Sequence, residues 1–193
     1  MAGTGRKWKL RLWGGTKRWS KINFAKYFFS ANIKYMIKIN YEKSLIILKP
    51  DAIQRNLVGE ITARFERKGL KIIGMKMMSI EDALLDEHYA HIKDKPFYPG
   101  VRDFMKACPV IVMAVEGINA ISAIRLIVGP TKAWEATAGT IRGDFSLSTQ
   151  SNIVHASETI EAGEIEVKRF FNKDEIFEYK KIDTDFVYAE HKK

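Results

Sequence analysis

A histidine near the end of a short apolar run is the residue of this sequence best placed to do chemistry. His155 follows the run Asn152–Val154 and comes shortly before a segment with a helical pattern. Glu166 falls on the polar side of that predicted helix, where its carboxylate could hold one imidazole nitrogen as a hydrogen-bond donor. The other nitrogen would keep its lone pair, which is what nucleophilic attack on phosphorus requires. A structural histidine at a strand end is the alternative interpretation.

Side chains that suit phosphate are scattered along the same chain. Lys49 ends a predicted strand just before a proline, and Arg125 lies on a predicted helix. Thr131 and Arg142 fall in the long segment that follows this helix. A guanidinium group binds two phosphate oxygens at once, and an ammonium group acts as a compact point charge. Taken singly, each cation is better explained as a surface charge or an ion-pair partner.

Several common kinds of site are excluded by spacing. The chain has no GxxxxGK[ST] phosphate loop and no GxGxxG motif. His88 and His91 would share a helix face, but two ligands do not make a zinc site, and the four histidines lack zinc-site spacing. A single cysteine, Cys108, allows neither an intrachain disulfide nor a cysteine-cluster metal centre, and it favours a reducing compartment.

The positive charge of the chain is concentrated at its N-terminus. The formal net charge is +9, but residues 1–40 contain ten Lys and Arg and no Asp or Glu. Subtracting these ten from the 32 Lys and Arg leaves 22 basic against 23 acidic groups, so the remainder is near neutral. We expect residues 1–43 to be a basic extension, disordered or non-native, and residues 44–193 to form the working domain. An organelle transit peptide or a binder of anionic surfaces, nucleic acid included, is the alternative for the extension.

No segment of the sequence is typical of a membrane span. No apolar run reaches the roughly 18–20 residues that a spanning helix needs. The extension also lacks the continuous apolar stretch of a secretory signal. We therefore expect a cytoplasmic protein, with organelle targeting by the extension as the alternative.

Short apolar runs alternate with amphipathic segments through most of the chain. The runs that favour buried strands are 44–49, 70–80, 109–115 and 152–154. Helical patterns cover 58–69 with Gly69 as C-cap, 82–93, 120–127, and a last helix capped by Ser157 with the apolar face Ile160, Gly163, Val167 and Phe170. This order predicts an α/β (α+β) fold, a ferredoxin-like βαββαβ sandwich with an inserted helical pair. Residues 129–151 have no strong period and are predicted to form a long active-site loop.

A set of linked motifs resembles one known family. The stretch "NIVHASET" is similar to the NxxH(G/A)S(D/E)S signature of nucleoside diphosphate kinases. The stretches "LIILKPDAIQRNLVGEITARFERKGLKI", "HYAHIKDKPFYPGV", "IRLIVGPT" and "GTIRGDF" occur in the order and at the spacing of that family. The resemblance covers about residues 44–188, to the closing "DFVY", and leaves residues 1–40 uncovered.

The resemblance implies a role for each candidate residue. His155 would accept the γ-phosphate of a nucleoside triphosphate and pass it to a diphosphate, with Glu166 holding its imidazole and Ser157 tying Glu166 in place. Lys49 and Asn152 match positions that contact the ribose hydroxyls and nearby phosphate oxygens. The other matching positions are the phosphate ligands His88, Arg125, Thr131 and Arg142, the neighbour of the nucleophile Tyr89, the base-stacking ring Phe97, and Val101, which lines the base slot.

The same resemblance implies the reaction, the cofactor and the assembly. Transfer through one histidine would be ping-pong, and a base held by stacking would give broad base specificity. Mg²⁺ would bridge the nucleotide's own oxygens, with no direct protein ligand. The family assembles as homo-hexamers or homo-tetramers built from dimers. The alternative function is a catalytically weak nucleotide- or nucleic-acid-binding module on the same fold.

A few positions depart from the pattern of the family. Ala156 stands where many members have glycine, and Glu158 replaces the commoner aspartate. Ala138 and the pair Lys132-Ala133 stand where proline is frequent, so we expect a less rigid long loop. None of these changes removes a group that does chemistry, so the sequence predicts an active enzyme.

Overall fold

The structure, a computed structural model, describes residues 41–188. Within this range the strands are β1 (Tyr41–Leu48), β2 (Lys71–Met78), β3 (Val110–Ile118) and β4 (Val154–Ala156). They form one antiparallel sheet with the order β2-β3-β1-β4. The strand β1 therefore lies between β3 and the short strand that carries the candidate nucleophile.

Helices connect these strands and cover the sheet. The α-helices are α1 (Pro50–Gln54), α2 (Val58–Arg67), α3 (Asp82–His88), α4 (Tyr98–Met105), α5 (Ala120–Val128), α6 (Ile141–Phe145), α7 (Ile160–Phe170) and α8 (Thr184–Val187). Short 3₁₀ turns occur at Ala90–Ile92, Ala133–Glu135 and Lys173–Glu175. Among residues 41–188, no helix has both the length and the apolar character needed to cross a bilayer.

The apolar run of β1 is explained by burial on both faces of the sheet. Ile46 and Leu48 pack into one core together with residues of α2 and α5. Leu45 and Ile47 point the other way, into a second core shared with α3, α4 and α7. Successive strand residues face opposite sides, so a strand covered by helices on both sides has no polar alternation.

The predicted ferredoxin-like arrangement is confirmed, with α3 and α4 as the inserted helical pair. The end of α2 matches the sequence signal closely, because Gly69 follows the helix with φ at +94°. Its N–H donates to the carbonyl of Glu66 at 2.9 Å, and the next N–H, from Leu70, donates to that of Phe65 at 3.2 Å. This pair of hydrogen bonds is a Schellman motif, which a left-handed glycine stabilises.

Three local predictions were wrong. The segment 129–151 is not a continuous loop, because it contains α6, whose five residues are too few to show a helical period. Thr159, and not Ser157, caps α7: its side chain accepts a hydrogen bond from the N–H of Ala162 at 3.1 Å. The last strand is Val154–Ala156, so His155 lies within it and not after it.

The N-terminal boundary also differs from the predicted one. Residues 41–43, which the charge pattern places in the extension, are the first residues of β1. Glu42 is buried there, and its Oε2 accepts a hydrogen bond from the N–H of Ile121 in the first turn of α5 at 3.0 Å. The rest of the predicted basic extension, residues 1–40, lies outside the described residues.

The helix α7 lies unusually close to β1 because of one glycine. At Gly163 a Cβ atom would collide with the backbone oxygen of Lys43, so only a residue without a side chain allows this approach. Val167 and Phe170 then fill the core below the helix. The close approach sets the position of Glu166, which lies one turn after the glycine.

We predict that Gly163→Ala lowers the free energy of unfolding by about 1–3 kcal/mol, because the helix must move away from the strand. Gly59→Ala is the matched control: the position lies in α2, and a Cβ there meets no atom within 4 Å. That change should be neutral, or should stabilise the protein by up to about 1 kcal/mol, since alanine has a higher helix propensity than glycine. Urea unfolding followed by circular dichroism measures both, and equal effects of the two substitutions would contradict the close-packing interpretation.

Candidate active site

His155 and Glu166 are joined by a hydrogen bond. The register of the sheet places His155 opposite Ile47 of β1, and its Nε2 lies 3.0 Å from Oε2 of Glu166. A carboxylate can only accept, so the proton of the neutral imidazole belongs on Nε2. Nδ1 is then the nitrogen with the free lone pair, which is the arrangement that a nucleophilic imidazole needs.

Ser157 connects this pair to the central strand. Its Oγ donates to the same Oε2 of Glu166 at 2.6 Å and accepts from the N–H of Leu45 at 3.0 Å. The backbone N–H of Ser157 donates to the carbonyl of Leu45 at 3.2 Å. Ser157 is fully buried, so the orientation of Glu166 is fixed by the backbone of β1.

The carboxylate of Glu166 remains ionised at neutral pH. Burial alone would raise its pKa, but the hydrogen bonds from His155 and Ser157 and the nearby imidazole outweigh burial and lower the pKa to about 2. An ionised Glu166 both holds the proton on Nε2 and can neutralise a positive charge that develops on the ring.

A strained turn at Ile153 directly precedes β4. Ile153 has φ at +72°, and the N–H of Val154 donates to the carbonyl of Asn152 at 2.8 Å, which is the hydrogen bond of a γ-turn. A β-branched residue in this region is strained by roughly 1–3 kcal/mol. The turn is held from outside: Oδ2 of Asp51 accepts from the N–H of Ile153 at 3.0 Å, and the N–H of Lys49 donates to its carbonyl at 2.9 Å.

Lys49 and Asn152 form a polar bridge on the other side of this turn. The Nζ of Lys49 donates to Oδ1 of Asn152 at 2.7 Å, and Nδ2 of Asn152 donates to the carbonyl of Thr131 at 3.2 Å. Burial, with a further contribution from Arg142, lowers the pKa of Lys49 to about 8, although Asp51 acts in the opposite direction. A bound anion would favour the charged form of this lysine.

Two arginines complete the positive side of the site. The guanidinium of Arg142 is buried and donates to the carbonyls of Gly129 at 2.9 Å, Asn152 at 3.3 Å and Val154 at 2.7 Å. Three of its five N–H groups are therefore engaged and two remain for a ligand. Burial, and then the positive charge of Arg125, lower its pKa to about 10. Arg125 is more exposed and lies 3.7 Å from Oε1 of Glu158.

His88 packs edge-on against the candidate nucleophile. Its ring centroid lies 4.6 Å from that of His155 and 5.1 Å from that of Phe170. Both ring nitrogens are buried without a hydrogen-bond partner among the described residues, as is the hydroxyl of Tyr89. Burial, followed by repulsion from His155, lowers the pKa of His88 to about 3, so it can offer a phosphate only a neutral N–H. Burial raises the pKa of the Tyr89 phenol, which therefore keeps its proton.

One cavity of about 660 Å³ brings these groups together. Every predicted site residue except Ser157 lines it, and Ser157 lies behind Glu166. Phe97, which precedes α4 and is 54% exposed, and Val101 of α4 also line it. The cavity is therefore lined by cations, by an aromatic side chain and by the imidazole of His155.

Some residues of the site were missed by sequence reasoning. Asp51 holds the strained turn, and Thr149 and Gln150 line the cavity from the loop before β4. Asp51 is a lone aspartate after a proline, and Thr149 and Gln150 lie in a polar stretch without periodicity, so the local sequence does not mark them as site residues. They are recognised only from the three-dimensional contacts between segments that are distant in sequence.

The residues present fit Mg²⁺ only through a ligand's own oxygens. Within the described residues, one group has metal-ligand character: His88, His155 and Glu166, whose ligand atoms lie within 4.8 Å of one another. Two imidazoles do not suit Mg²⁺, which prefers oxygen ligands, and the carboxylate is already hydrogen-bonded.

The chain is similar to known proteins of one family. The profile described as "Nucleoside diphosphate kinase" matches residues 42–176. A nucleoside diphosphate kinase of Parabacteroides distasonis is 56% identical over 138 residues, which cover 72% of this chain and 90% of that protein. One from Archaeoglobus fulgidus is 46% identical over 149 residues, covering 77% of this chain and 99% of that protein. The solved structure of a nucleoside diphosphate kinase from Halobacterium salinarum in complex with CDP has a TM-score of 0.75 at 40% identity, covering 77% and 99% of the two chains.

We predict that His88→Phe flattens the pH dependence of stability. The pKa of His88 in the folded protein is about 3, below the unfolded value near 6.5, so the unfolded chain binds a proton that the native state does not. Lowering the pH from 6.5 to 5 should therefore destabilise the wild type by about 1–2 kcal/mol more than the variant. Urea unfolding at pH 7.5, 6.5 and 5 measures this difference, and parallel pH profiles of the two proteins would refute it.

Proposed function

The chain belongs to the nucleoside diphosphate kinase family, and we propose that His155 carries the phosphate between its two nucleotides. The enzyme transfers the γ-phosphate of a nucleoside triphosphate to a nucleoside diphosphate. The observation that carries the assignment of the nucleophile is the hydrogen bond between Nε2 and Glu166, which leaves the Nδ1 lone pair in a cavity lined by cations. The relatives do not favour a non-catalytic binding module.

The proposed reaction needs no net proton transfer. The lone pair of Nδ1 forms a bond to the γ-phosphorus, the bond from that phosphorus to the bridging oxygen breaks, and the diphosphate leaves with the electron pair. The imidazole ring, which keeps its proton on Nε2, becomes positive, and the Glu166 carboxylate 3.0 Å away neutralises it. In the second half a diphosphate oxygen attacks the same phosphorus, and the lone pair returns to Nδ1. One site serves donor and acceptor in turn, so the mechanism is ping-pong.

We propose that the positive side of the cavity holds the phosphates. Lys49, Arg125 and Arg142 are already assembled in the free protein, and burial or mutual repulsion lowers the pKa of Lys49 and Arg142. Phosphate oxygens would relieve this repulsion and neutralise the charge that builds up on the transferred group. Thr131 and Asn152 add polar contacts, the latter to ribose hydroxyls together with Lys49, and His88 and Tyr89 add neutral donors.

We propose that Phe97 stacks on the base and that Val101 lines the slot. Stacking depends on a π-face that every base has, so this part of the cavity supports broad base specificity. The CDP complex of the Halobacterium protein shows that a relative of this fold binds a pyrimidine diphosphate.

We propose that Mg²⁺ arrives with the nucleotide. A divalent cation bound to the phosphates reduces their charge and so eases attack by a nucleophile. The cations that line the cavity support the proposal, because they suit nucleotide phosphates, whose oxygens are the kind of ligand that Mg²⁺ prefers.

We further propose a homo-oligomer built from dimers, a hexamer or a tetramer, with a cytoplasmic location. Large apolar side chains left exposed on the single chain support an interface: Met75 and Met77 on β2, and Phe177, Ile182 and Phe186 near the end of the described range.

The free thiol of Cys108 supports the proposed cytoplasmic location, because it is compatible with a reducing compartment. We propose that the transferring domain starts at β1. Nucleic-acid binding or organelle targeting by the basic arm concerns residues 1–40, which lie outside the described residues.

We predict that a γ-labelled nucleoside triphosphate labels the protein at His155. The bond between phosphorus and an imidazole nitrogen is labile to acid, so the label should be lost in acid and kept in base. His155→Ala should abolish labelling, and His91→Ala, a histidine at the rim of the cavity, should retain it. A labelled His155→Ala protein would overturn the assignment.

We predict a graded loss of turnover along the hydrogen-bonded chain. Glu166→Gln removes the negative charge that stabilises the positive ring, and should lower kcat about 10- to 100-fold with little change in KM. Ser157→Ala removes one hydrogen bond to Glu166 and should lower kcat by roughly 2- to 10-fold. Steady-state kinetics of diphosphate-to-triphosphate conversion measures both. A rise in KM without a fall in kcat would mean that these groups bind substrate and do not support the nucleophile.

A further inference from the structure

The side chain of Gln150 joins the loop before β4 to helix α4 by a hydrogen bond. Its Nε2 donates to the backbone carbonyl of Gly100, in α4, at 2.8 Å, across 50 residues of sequence. Both amide atoms lie over Gly100, at 3.7 Å from the position that a Cβ would take there. Gln150 lines the same cavity as Phe97 and Val101, and it is hydrogen-bonded to the residue that precedes Val101, so it borders the slot where we propose that a base stacks.

The hydrogen bond to Gly100 fixes which amide atom is which. A backbone carbonyl accepts only from a donor, so the atom next to it must be the nitrogen. Within residues 41–188 no group donates to Oε1, which keeps two lone pairs, and Nε2 keeps a second N–H, so the amide still offers one acceptor and one donor. The base slot therefore contains, beside Phe97, an amide whose acceptor and donor atoms have fixed positions.

The loop around Gln150 is ordered by its own hydrogen bonds. Oγ of Ser148 accepts from the N–H groups of Gln150 and Ser151, each at 3.2 Å, and Oγ of Ser146 donates to the carbonyl of Ser151 at 2.8 Å. The backbone carbonyl of Gln150 accepts from Nζ of Lys49 at 3.4 Å. Gln150 is thus connected both to the base slot and to the phosphate side of the site.

We propose that Gln150 recognises the edge of the base and biases transfer toward adenine, whose 6-amino group would donate to Oε1 while its N7 accepts from the second N–H of Nε2. Guanine presents two acceptors on the same edge, O6 and N7, and uracil presents a carbonyl oxygen, so neither offers a donor to Oε1 there. Such a base forms one hydrogen bond fewer with the amide than adenine does. The proposal rests on the proposed function and deepens it: stacking admits every base, and Gln150 adds a preference among them.

The preference should be modest. One hydrogen bond exchanged with water changes a binding equilibrium about 2- to 10-fold. The phosphate and ribose contacts are the same for every nucleotide, so they cancel in the comparison. A bias of this size is compatible with an enzyme that uses all nucleoside triphosphates.

The donor half-reaction tests this proposal directly. The kcat/KM for ATP is compared with that for purine riboside triphosphate, which has the same rings without the amino group. The wild type should prefer ATP about 2- to 10-fold. Gln150→Leu, which removes both polar amide atoms, should bring the ratio close to one while phosphate transfer continues.

Gln54→Leu is the matched control, because it makes the same change at an exposed position on α1 that does not line the cavity. It should keep the wild-type ratio. A wild-type ratio of one, or an unchanged ratio in Gln150→Leu, overturns the role of Gln150. Absence of transfer from either donor in the wild type would instead contradict the proposed function, so the two failures are distinguishable.

Discussion

The site depends on one chain of hydrogen bonds that starts at the backbone of β1, a strand with a core on each face. Leu45 of β1 is bonded by both its N–H and its carbonyl to Ser157, whose hydroxyl donates to Glu166, which in turn holds His155. The strand has cores on both faces and does not tilt without disturbing both. The tautomer of the imidazole that we propose as the nucleophile is thereby fixed by a strand packed on both faces, which is the form of preorganisation that nucleophilic catalysis needs.

Concentrated positive charge is the second constraint. Lys49, Arg125 and Arg142 face the cavity, with Glu158 as the acid closest to Arg125. Arg142 donates three N–H groups to the carbonyls of Gly129, Asn152 and Val154, so the residue that we propose as a phosphate ligand also stabilises the backbone around the site. The lowered pKa values of Lys49 and Arg142 express the same fact: the free site holds its charges apart from water and close to each other.

Whether an element could be predicted from the sequence depended on how far apart in the chain the residues that stabilise it lie. The strands around Leu45 and Val112 and the end of α2 at Gly69 follow from local burial and backbone conformation, and they were predicted. The helix α6 and the start of β1 were not, because five residues show no period and because Glu42 is buried by α5, far away in sequence. The displaced start of β4 has the same cause, since the γ-turn at Ile153 is held by Asp51.

The base slot shows why residue types alone do not define specificity. The stacking that we propose for Phe97 is tolerant, because all bases share a π-face. An amide in the same slot differs from it, since the effect of an amide depends on where its donor and acceptor atoms lie. For Gln150 those positions are set by the Gly100 carbonyl, on a helix far from the loop of Gln150 in sequence. In our proposal a tolerant aromatic contact and a directional amide act on the same base, and discrimination comes from the amide while stacking is kept.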